Sequence, residues 1–303
     1  MTRFPKRPAQ TGFLYALLAY ASWGLLPLYW KQFGNASPLE IVSHRVIWSL
    51  ILLATFIVMF RQVDEMRAVL RDGRRLATLV LTASLLGANW ALFIYGVVSD
   101  QVVQTSLGYF LNPLVSILLG FVFLKERLSR MQTGAVFLAV CGVAHFGFHV
   151  GYLPWLALSL ALTFGLYGLL RKIVTVTPLV GVTVETSLIA PIALGIIWAL
   201  SSQRRAEFGG SLQLNLLFVG AGVVTTLPLL WFNSAAKLLR LATMGFLQYL
   251  APTLQLLVGT IVFNEPFSAR EAMSFILIWT AIALYVFSLL RARRNAIPKP
   301  EPD

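Results

Sequence analysis

Long apolar stretches separated by short polar punctuation run through the whole sequence. A helix needs about 20 predominantly apolar residues to cross a hydrocarbon layer of roughly 30 Å. Breaking the chain at charges and at Pro/Gly clusters yields ten such candidates, at 12–30, 38–60, 76–99, 101–124, 130–149, 151–170, 178–200, 212–235, 241–263 and 269–290. The intervening 61–75 and 201–215 segments read as loops. The first apolar run, from Gly12 to Trp30, exceeds the roughly 7–15 residues of a signal-peptide core and ends in no A-x-A-like site, so a retained first helix is expected.

Polar residues at the span boundaries follow helix-capping chemistry. Ser37-Pro38-Leu39-Glu40, Ser129-Arg130-Met131-Gln132 and Ser268-Ala269-Arg270-Glu271 each fit the S-x-x-E/Q capping box. Thr177-Pro178 sets a capping hydroxyl before a first-turn proline. Capping accounts for Glu40 and Glu271 and leaves the polar residues deeper in the spans to be explained. In the fourth span Thr105, Tyr109, Asn112 and Ser116 recur at i, i+4, i+7 and i+11, which is one helical face. In the ninth, Gln248 and Gln255 occupy the positions of Tyr109 and Ser116. Two such stripes are either a shared cavity wall or interhelical hydrogen bonds, worth about 0.6 kcal/mol each on average. Pro113 and Pro252 would open the backbone bonding of the same two spans and are candidate helix breaks or gates.

Composition agrees with the span pattern. Apolar residues make up 58% and charged residues 12%, with a mean hydropathy of +0.77, against about 45–50% and 25% in soluble domains. The expected fold class is an all-α polytopic membrane protein with ten transmembrane helices. The single cysteine, Cys141, excludes an intramolecular disulfide and a Cys-based metal cage. A net charge of +12 on a soluble chain would suggest nucleic acid, but its distribution here is topological. With ten spans, nineteen of the 24 Lys and Arg residues fall on one side, Lys31, Arg204, Arg205 and Arg270 fall on the other, and Arg45 lies inside a span. The positive-inside rule then places both termini in the cytoplasm. Membrane lipids are expected partners of the basic clusters and nucleic acid is not.

Arg45 and Glu185 are the embedded charges, each costing about 2.5–3.5 kcal/mol on insertion scales. Each lies seven residues into its span, about 10 Å deep, but from opposite membrane faces. Direct pairing therefore needs arginine reach or helix tilt; otherwise each faces a water-filled vestibule. Arg45 is a candidate for holding an anionic or carboxylate-bearing group, and Glu185 for tuning charge or coupling. His44, about 100° round the helix from Arg45, is either a packing or hydrogen-bonding residue or a proton relay. Trp23, Asn89, Trp90, Tyr167 and Tyr249 can add aromatic and amide contacts to a pocket, or belong to interfacial belts. His145 and His149 form an H-x-x-x-H pair without a third ligand, better read as interfacial than as zinc-binding. No Walker, G-x-S-x-G or H-E-x-x-H motif is present, and neither a metal nor a cofactor is expected.

The chain also repeats itself. "SLGYFLNPLVSILLGFVFLKERLS" (106–129) and "GFLQYLAPTLQLLVGTIVFNEPFS" (245–268) share Leu111/Leu250, Pro113/Pro252, Leu118/Leu257, Gly120/Gly259, Glu126/Glu265 and Ser129/Ser268 at an offset of 139. Gly24, Leu25 and Lys31 match Gly165, Leu166 and Lys172 at 141, and Pro38 matches Pro178 at 140, which makes Arg45 and Glu185 equivalent. Each unit holds five spans, so the second enters the membrane from the opposite face. The expected organisation is two inverted five-helix repeats, 1–149 and 150–291, with a cytoplasmic tail at 292–303. That architecture belongs to many secondary transporters, with the site near midplane between the repeats. A static duplicated scaffold is the alternative.

The segments "AYASWGLLPLYWK" (19–31), "EIVSHRVIWS" (40–49), "NWALFIYGV" (89–97), "SLGYFLNPLVSILLGFVFLKERL" (106–128), "FGLYGLLRK" (164–172) and "GFLQYLAPTLQ" (245–255) together resemble the RarD branch of the EamA-type transporters in the drug/metabolite transporter superfamily. The resemblance spans nearly the whole chain, apart from the termini and the 61–75 and 201–215 loops. It implies a ten-helix inner-membrane permease without nucleotide-driven power, in a branch whose name is linked to chloramphenicol sensitivity. The expected partner is a small-molecule substrate, a polar or amphipathic metabolite or drug, and a homodimer stays open. Arg45, Glu185, His44, Trp23, Asn89, Tyr109, Asn112, Ser116, Gln248, Tyr249 and Gln255 are the candidate substrate-contacting residues. Two rivals remain: an intramembrane enzyme on a lipid-linked substrate, for which embedded catalytic groups are sparse, and a non-transporting scaffold.

Overall fold

The structure, a computed structural model, describes residues 8–34, 36–99, 102–147, 155–264 and 269–295. Among these it is helical throughout: α1 (Pro8–Trp30), α2 (Pro38–Met59), α3 (Val63–Arg71), α4 (Gly73–Val98), α5 (Val102–Leu124), α6 (Arg130–Gly147), α7 (Trp155–Ile173), α8 (Pro178–Ser202), α9 (Leu212–Leu238), α10 (Leu241–Gln248), α11 (Leu250–Leu257) and α12 (Ala269–Asn295). Seven described segments are long and apolar enough to cross a membrane by length and composition, and Gly108–Leu124 and Phe275–Arg291 are shorter apolar helices. Large apolar side chains such as Ile192, Trp198, Leu212 and Phe137 stand exposed while Thr82, Asn112, Arg171, Glu185 and Asn233 are buried. An apolar exterior over a partly polar interior is the arrangement a lipid environment demands. The protein is a polytopic all-α membrane protein.

Two segments depart from the sequence reading. The 61–75 loop contains α3, a short amphipathic helix whose Val69 is buried, with Val63 and Met66 packed on the main core. The ninth span is not continuous: α10 and α11 meet at Tyr249, and a five-residue π-helical segment, Val258–Val262, follows. Pro252 has no N–H to give the Gln248 carbonyl and its ring crowds that carbonyl, which weakens the helix beside the break at Tyr249. Its counterpart Pro113 sits inside an unbroken α5.

The heaviest packing joins the two halves of the chain. Helix α5 packs on α7 as α11 packs on α1; α1 packs on α9 as α7 packs on α4; α2 packs on α9 as α8 packs on α4. The remaining large contacts, α2 with α8, α5 with α10 and α6 with α12, pair counterparts with each other. Backbone detail repeats as well. Lys125 and Asn264, 139 apart, both adopt φ of 53°, and Arg61 and Arg204 both adopt 55°.

Of the expected caps, only one forms as written. Ser129 N–H donates to Gln132 Oε1 (2.9 Å) and Gln132 N–H to Ser129 Oγ (3.3 Å), a reciprocal capping box. Glu40 instead reaches across the bundle and accepts from the N–H groups of Glu207 (2.9 and 3.0 Å) and Phe208 (2.9 Å), because α8 delivers that loop beside the start of α2. Thr177 turns its hydroxyl to Gln62 (3.2 Å) and gives its N–H to Glu65 (2.9 Å). Glu126 accepts from Leu241 N–H (2.7 Å) and Ala242 N–H (2.9 Å) at the start of α10. Glu40, Glu65 and Glu126 thus hold backbone N–H groups of the opposite half, whereas Asp72 caps the helix that follows it, accepting from Arg74 N–H and Arg75 N–H at 3.1 Å each. Ser268 and His149 lie outside the described residues.

Candidate functional site

A cavity of about 580 Å³ lies among α1, α2, α4, α5, α7, α9 and the α10–α11 pair. Its walls run from mid-bundle (Tyr20, Leu86, Asn112, Leu229 and Gln248) to the end of the bundle where α1 finishes and α2 begins (Trp30, Pro38 and Ile41). None of α8 lines it.

Arg45 is the one charged residue among the described lining residues. Its Cζ stands over the Trp90 ring, 4.2 Å from the centroid, a cation–π contact. Its Nε is buried with no hydrogen-bond partner among the described residues. Asn89 spends both amide hydrogens on Leu160 O and Thr163 Oγ1, each at 2.9 Å, and Gln255 gives Nε2 to Trp23 O (3.2 Å). That leaves the Asn89 carbonyl oxygen, and the carbonyl oxygen and one N–H of Gln255. Asn112 Oδ1 is buried and unpartnered, as is the Tyr20 hydroxyl.

Below the cavity sits an aromatic cluster. Trp23 meets Phe164 edge-on at 5.8 Å and Phe232 at 5.6 Å, Tyr20 meets Phe232 at 6.2 Å, and Tyr167 stacks on Phe232 at 6.1 Å. Beyond it lies a closed polar network. Arg171 Nε donates to Asn233 Oδ1 (2.6 Å) and stands 3.6 Å from Glu185 Oε1. Thr82 donates to Glu185 Oε1 (2.6 Å) and Tyr167 to Glu185 Oε2 (3.2 Å), while Asn233 Nδ2 donates to the Tyr167 hydroxyl (2.9 Å). Arg171, Tyr167, Glu185 and Asn233 are all fully buried. Past this network, toward the opposite end, Lys172 donates to Ala236 O and Leu239 O, and Lys237 to Val174 O, tying α7 and its following loop to the end of α9.

The sequence candidates therefore divide. Trp23, Arg45, Asn89, Tyr109, Asn112, Gln248, Pro252 and Gln255 line the cavity together. Glu185 does not; its partner is Arg171, which the charge count had assigned to a loop. Arg45 and Glu185 take different partners because they lie in opposite halves of the bundle. His44 also leaves the site: it stacks on Phe208 at 4.5 Å and leans on Phe218, with Glu40 3.9 Å from its Nε2. Ser116 and Tyr249 are buried in packing, Tyr249 within the α5–α6–α10–α12 core. Pro113 stays inside its helix and outside the lining. Thr82, Arg171 and Asn233 were missed, although Arg171 stands 141 residues after Trp30 in the matched segment "GLLRK".

Residues 10–148 match the EamA-like transporter family. A protein of Vibrio cholerae serotype O1, described as an uncharacterized transporter, is 42% identical over 292 residues, covering 96% of this chain and 97% of that protein. Protein RarD of Escherichia coli K12 is 39% identical over 290 residues, covering 95% of this chain and 98% of its own. The chloramphenicol-sensitive protein RarD of Pseudomonas aeruginosa is 31% identical over 288 residues, with 94% and 96% covered. A solved crystal structure that is 17% identical shares the fold at a TM-score of 0.69, covering 96% of this chain and 99% of that one. Full-length similarity to RarD proteins, the EamA match and a bundle of apolar helices around a partly polar cavity lead to one assignment: the chain belongs to the EamA-like transporter family, in the RarD branch of the drug/metabolite transporter superfamily, and is a multi-pass bacterial membrane transporter.

Proposed function

We propose that the protein is an inner-membrane permease that moves a small polar or amphipathic metabolite or drug by alternating access between two inverted repeats, 1–149 and 150–291, with both termini cytoplasmic. One observation carries the mechanism. The repeat offsets map four cavity-lining residues onto the closed region on the other side of the bundle: Leu26 onto Tyr167 and Trp30 onto Arg171 at 141, Ile41 onto Gly181 and Arg45 onto Glu185 at 140. Tyr167, Arg171 and Glu185 are bonded to one another or through Asn233, and a Cβ on Gly181 would lie 1.8 Å from Arg171 Nη1. The polar network occupies the place that a mirror-image cavity would take. In this reading the structure is the outward-facing state, and transport closes the Arg45 cavity while the Arg171/Glu185 network parts to open its image.

The permease reading is favoured over an intramembrane enzyme because the described lining residues include no His, Cys, Asp or Glu to act as acid, base or nucleophile. The printed name of the Pseudomonas aeruginosa relative adds amphenicols to the substrates to test. Purified protein in vesicles loaded with a labelled panel of amino acids, small organic acids and amphenicol drugs should release at least one compound faster than empty vesicles. Arg45→Ala protein of normal folding should lose that release. Vesicles that retain every compound while the protein chemically converts one would overturn the reading.

A further inference from the structure

Among the described lining residues the polar groups include a single cation, Arg45, and several side-chain amides, of which Asn89 has both of its own donors engaged. Arg45 holds its Cζ over the Trp90 ring, and its buried Nε has no partner among the described residues, which leaves a donor for a ligand. No carboxylate stands among the described lining residues to neutralise it. A buried cation without a counter-ion is costly, so the charge calls for an anion brought in from outside. Among the amides, Asn89 has given both amide hydrogens to Leu160 O and Thr163 Oγ1, Gln255 has given one to Trp23 O, and Asn112 Oδ1 is orphaned in the wall. Carbonyl oxygens repel a carboxylate and accept from N–H or O–H. The remaining surface is largely apolar and aromatic, with Trp23 beside Phe164.

We infer that the cavity takes a small monocarboxylate that carries a hydroxyl or amino donor near the carboxylate and an apolar body, with the carboxylate on the Arg45 guanidinium, the donor on the amide carbonyls and the body against the aromatic wall. Planar pairing of a carboxylate with a guanidinium supplies direction as well as charge. One Arg matches one negative charge, which disfavours phosphate dianions and stays unmatched by a cation or by a neutral amphenicol. The transport arm of this inference rests on the permease reading; the binding arm does not.

The test is binding to the full-length protein, followed by tryptophan fluorescence, with probes that share one phenyl body: 3-phenyllactate, 3-phenylpropionate, 3-phenylpropanol, phenethylamine and phenyl phosphate. The expected order places phenyllactate first, phenylpropionate second, and the other three far behind. Arg45→Gln should weaken both carboxylates on the order of ten- to hundredfold, the range for a hydrogen bond to a charged group, and leave phenylpropanol unchanged. Arg45→Lys, which keeps the charge and guards against misfolding, should preserve the preference for anions. Asn112→Leu should shrink the gap between phenyllactate and phenylpropionate. The inference is overturned if phenylpropanol, phenethylamine or phenyl phosphate binds as well as the carboxylates, if no carboxylate binds, or if Arg45→Gln leaves the order intact. Flux separates the two readings. Carboxylate binding without flux of any compound removes the permease and keeps the site, whereas Arg45-independent flux of a neutral compound keeps the permease and removes this inference.

Discussion

Glu185→Leu is expected to destabilise the protein by about 3–5 kcal/mol, the usual consequence of stranding one partner of a buried ion pair. Arg171 would keep its full charge with only Asn233 Oδ1 and Pro178 O (3.4 Å) as acceptors. Tyr167 and Thr82 would lose the carboxylate that each now donates to. The double variant Arg171→Met/Glu185→Leu should recover most of that loss, since an apolar pair of similar size avoids the desolvation of both charges. Guanidinium or heat melts in detergent give the stability comparison. Flux gives the functional one: the restored double variant should remain inactive, because a network that must part and reform has been replaced by fixed packing. Recovery of both stability and flux would reduce the network to an ordinary core contact.

Gly222→Ala should cost about 1–3 kcal/mol as an overpacked contact, and its effect on transport should be larger than its effect on folding. A Cβ there would stand 2.6 Å from the carbonyl carbon of Trp48 and 2.8 Å from the N of Ser49, both backbone, so no side chain can yield. Helices α2 and α9 would have to separate, and the hydrogen bond from Ser49 Oγ to Gly222 O (3.1 Å) would stretch. Arg45 on α2 and Thr225 on α9 are each about one turn from that crossing and both line the cavity, so cavity shape changes with helix spacing. Flux should fall by about an order of magnitude or more while the protein still elutes as a folded species. Wild-type flux would show that the α2–α9 crossing has slack.

The polytopic helical pattern was legible, with seven long and two shorter apolar helices among the described residues, because lipid-facing helices are apolar almost all round and their length is set by the bilayer rather than by neighbours. Helix α3 escaped notice because nine amphipathic residues between basic ones look like any charged loop. Pro113 and Pro252 occupy matched positions, yet only the second coincides with a break. A proline at the matched position does not by itself distinguish them. The cavity stripes were readable from spacing, since Tyr109, Asn112, Gln248 and Gln255 share faces at helical period. Glu185 was assigned to the cavity because an embedded charge marks a pathway by default. Its counter-ion, Arg171, was hidden by its place beside Lys172 at a span end, where a positive charge reads as topology. Likewise Glu40 and Thr177 had convincing local caps in sequence, and both turned to partners more than one hundred residues away. Long-range choice among several adequate acceptors is what one sequence cannot encode visibly.

Alternating access between repeats is tested most directly by the reciprocal exposure of two equivalent valines. Val42 lines the cavity, and Val182, 140 residues on, is buried at 1% exposure beside the polar network. In a Cys141→Ala background, Val42→Cys and Val182→Cys would each be probed with an impermeant maleimide applied to one membrane face at a time. The account predicts that Val42→Cys labels from the periplasmic face and Val182→Cys from the cytoplasmic face, and that a condition raising one rate lowers the other. Labelling of both sites from one face, or rates that rise together, would contradict it.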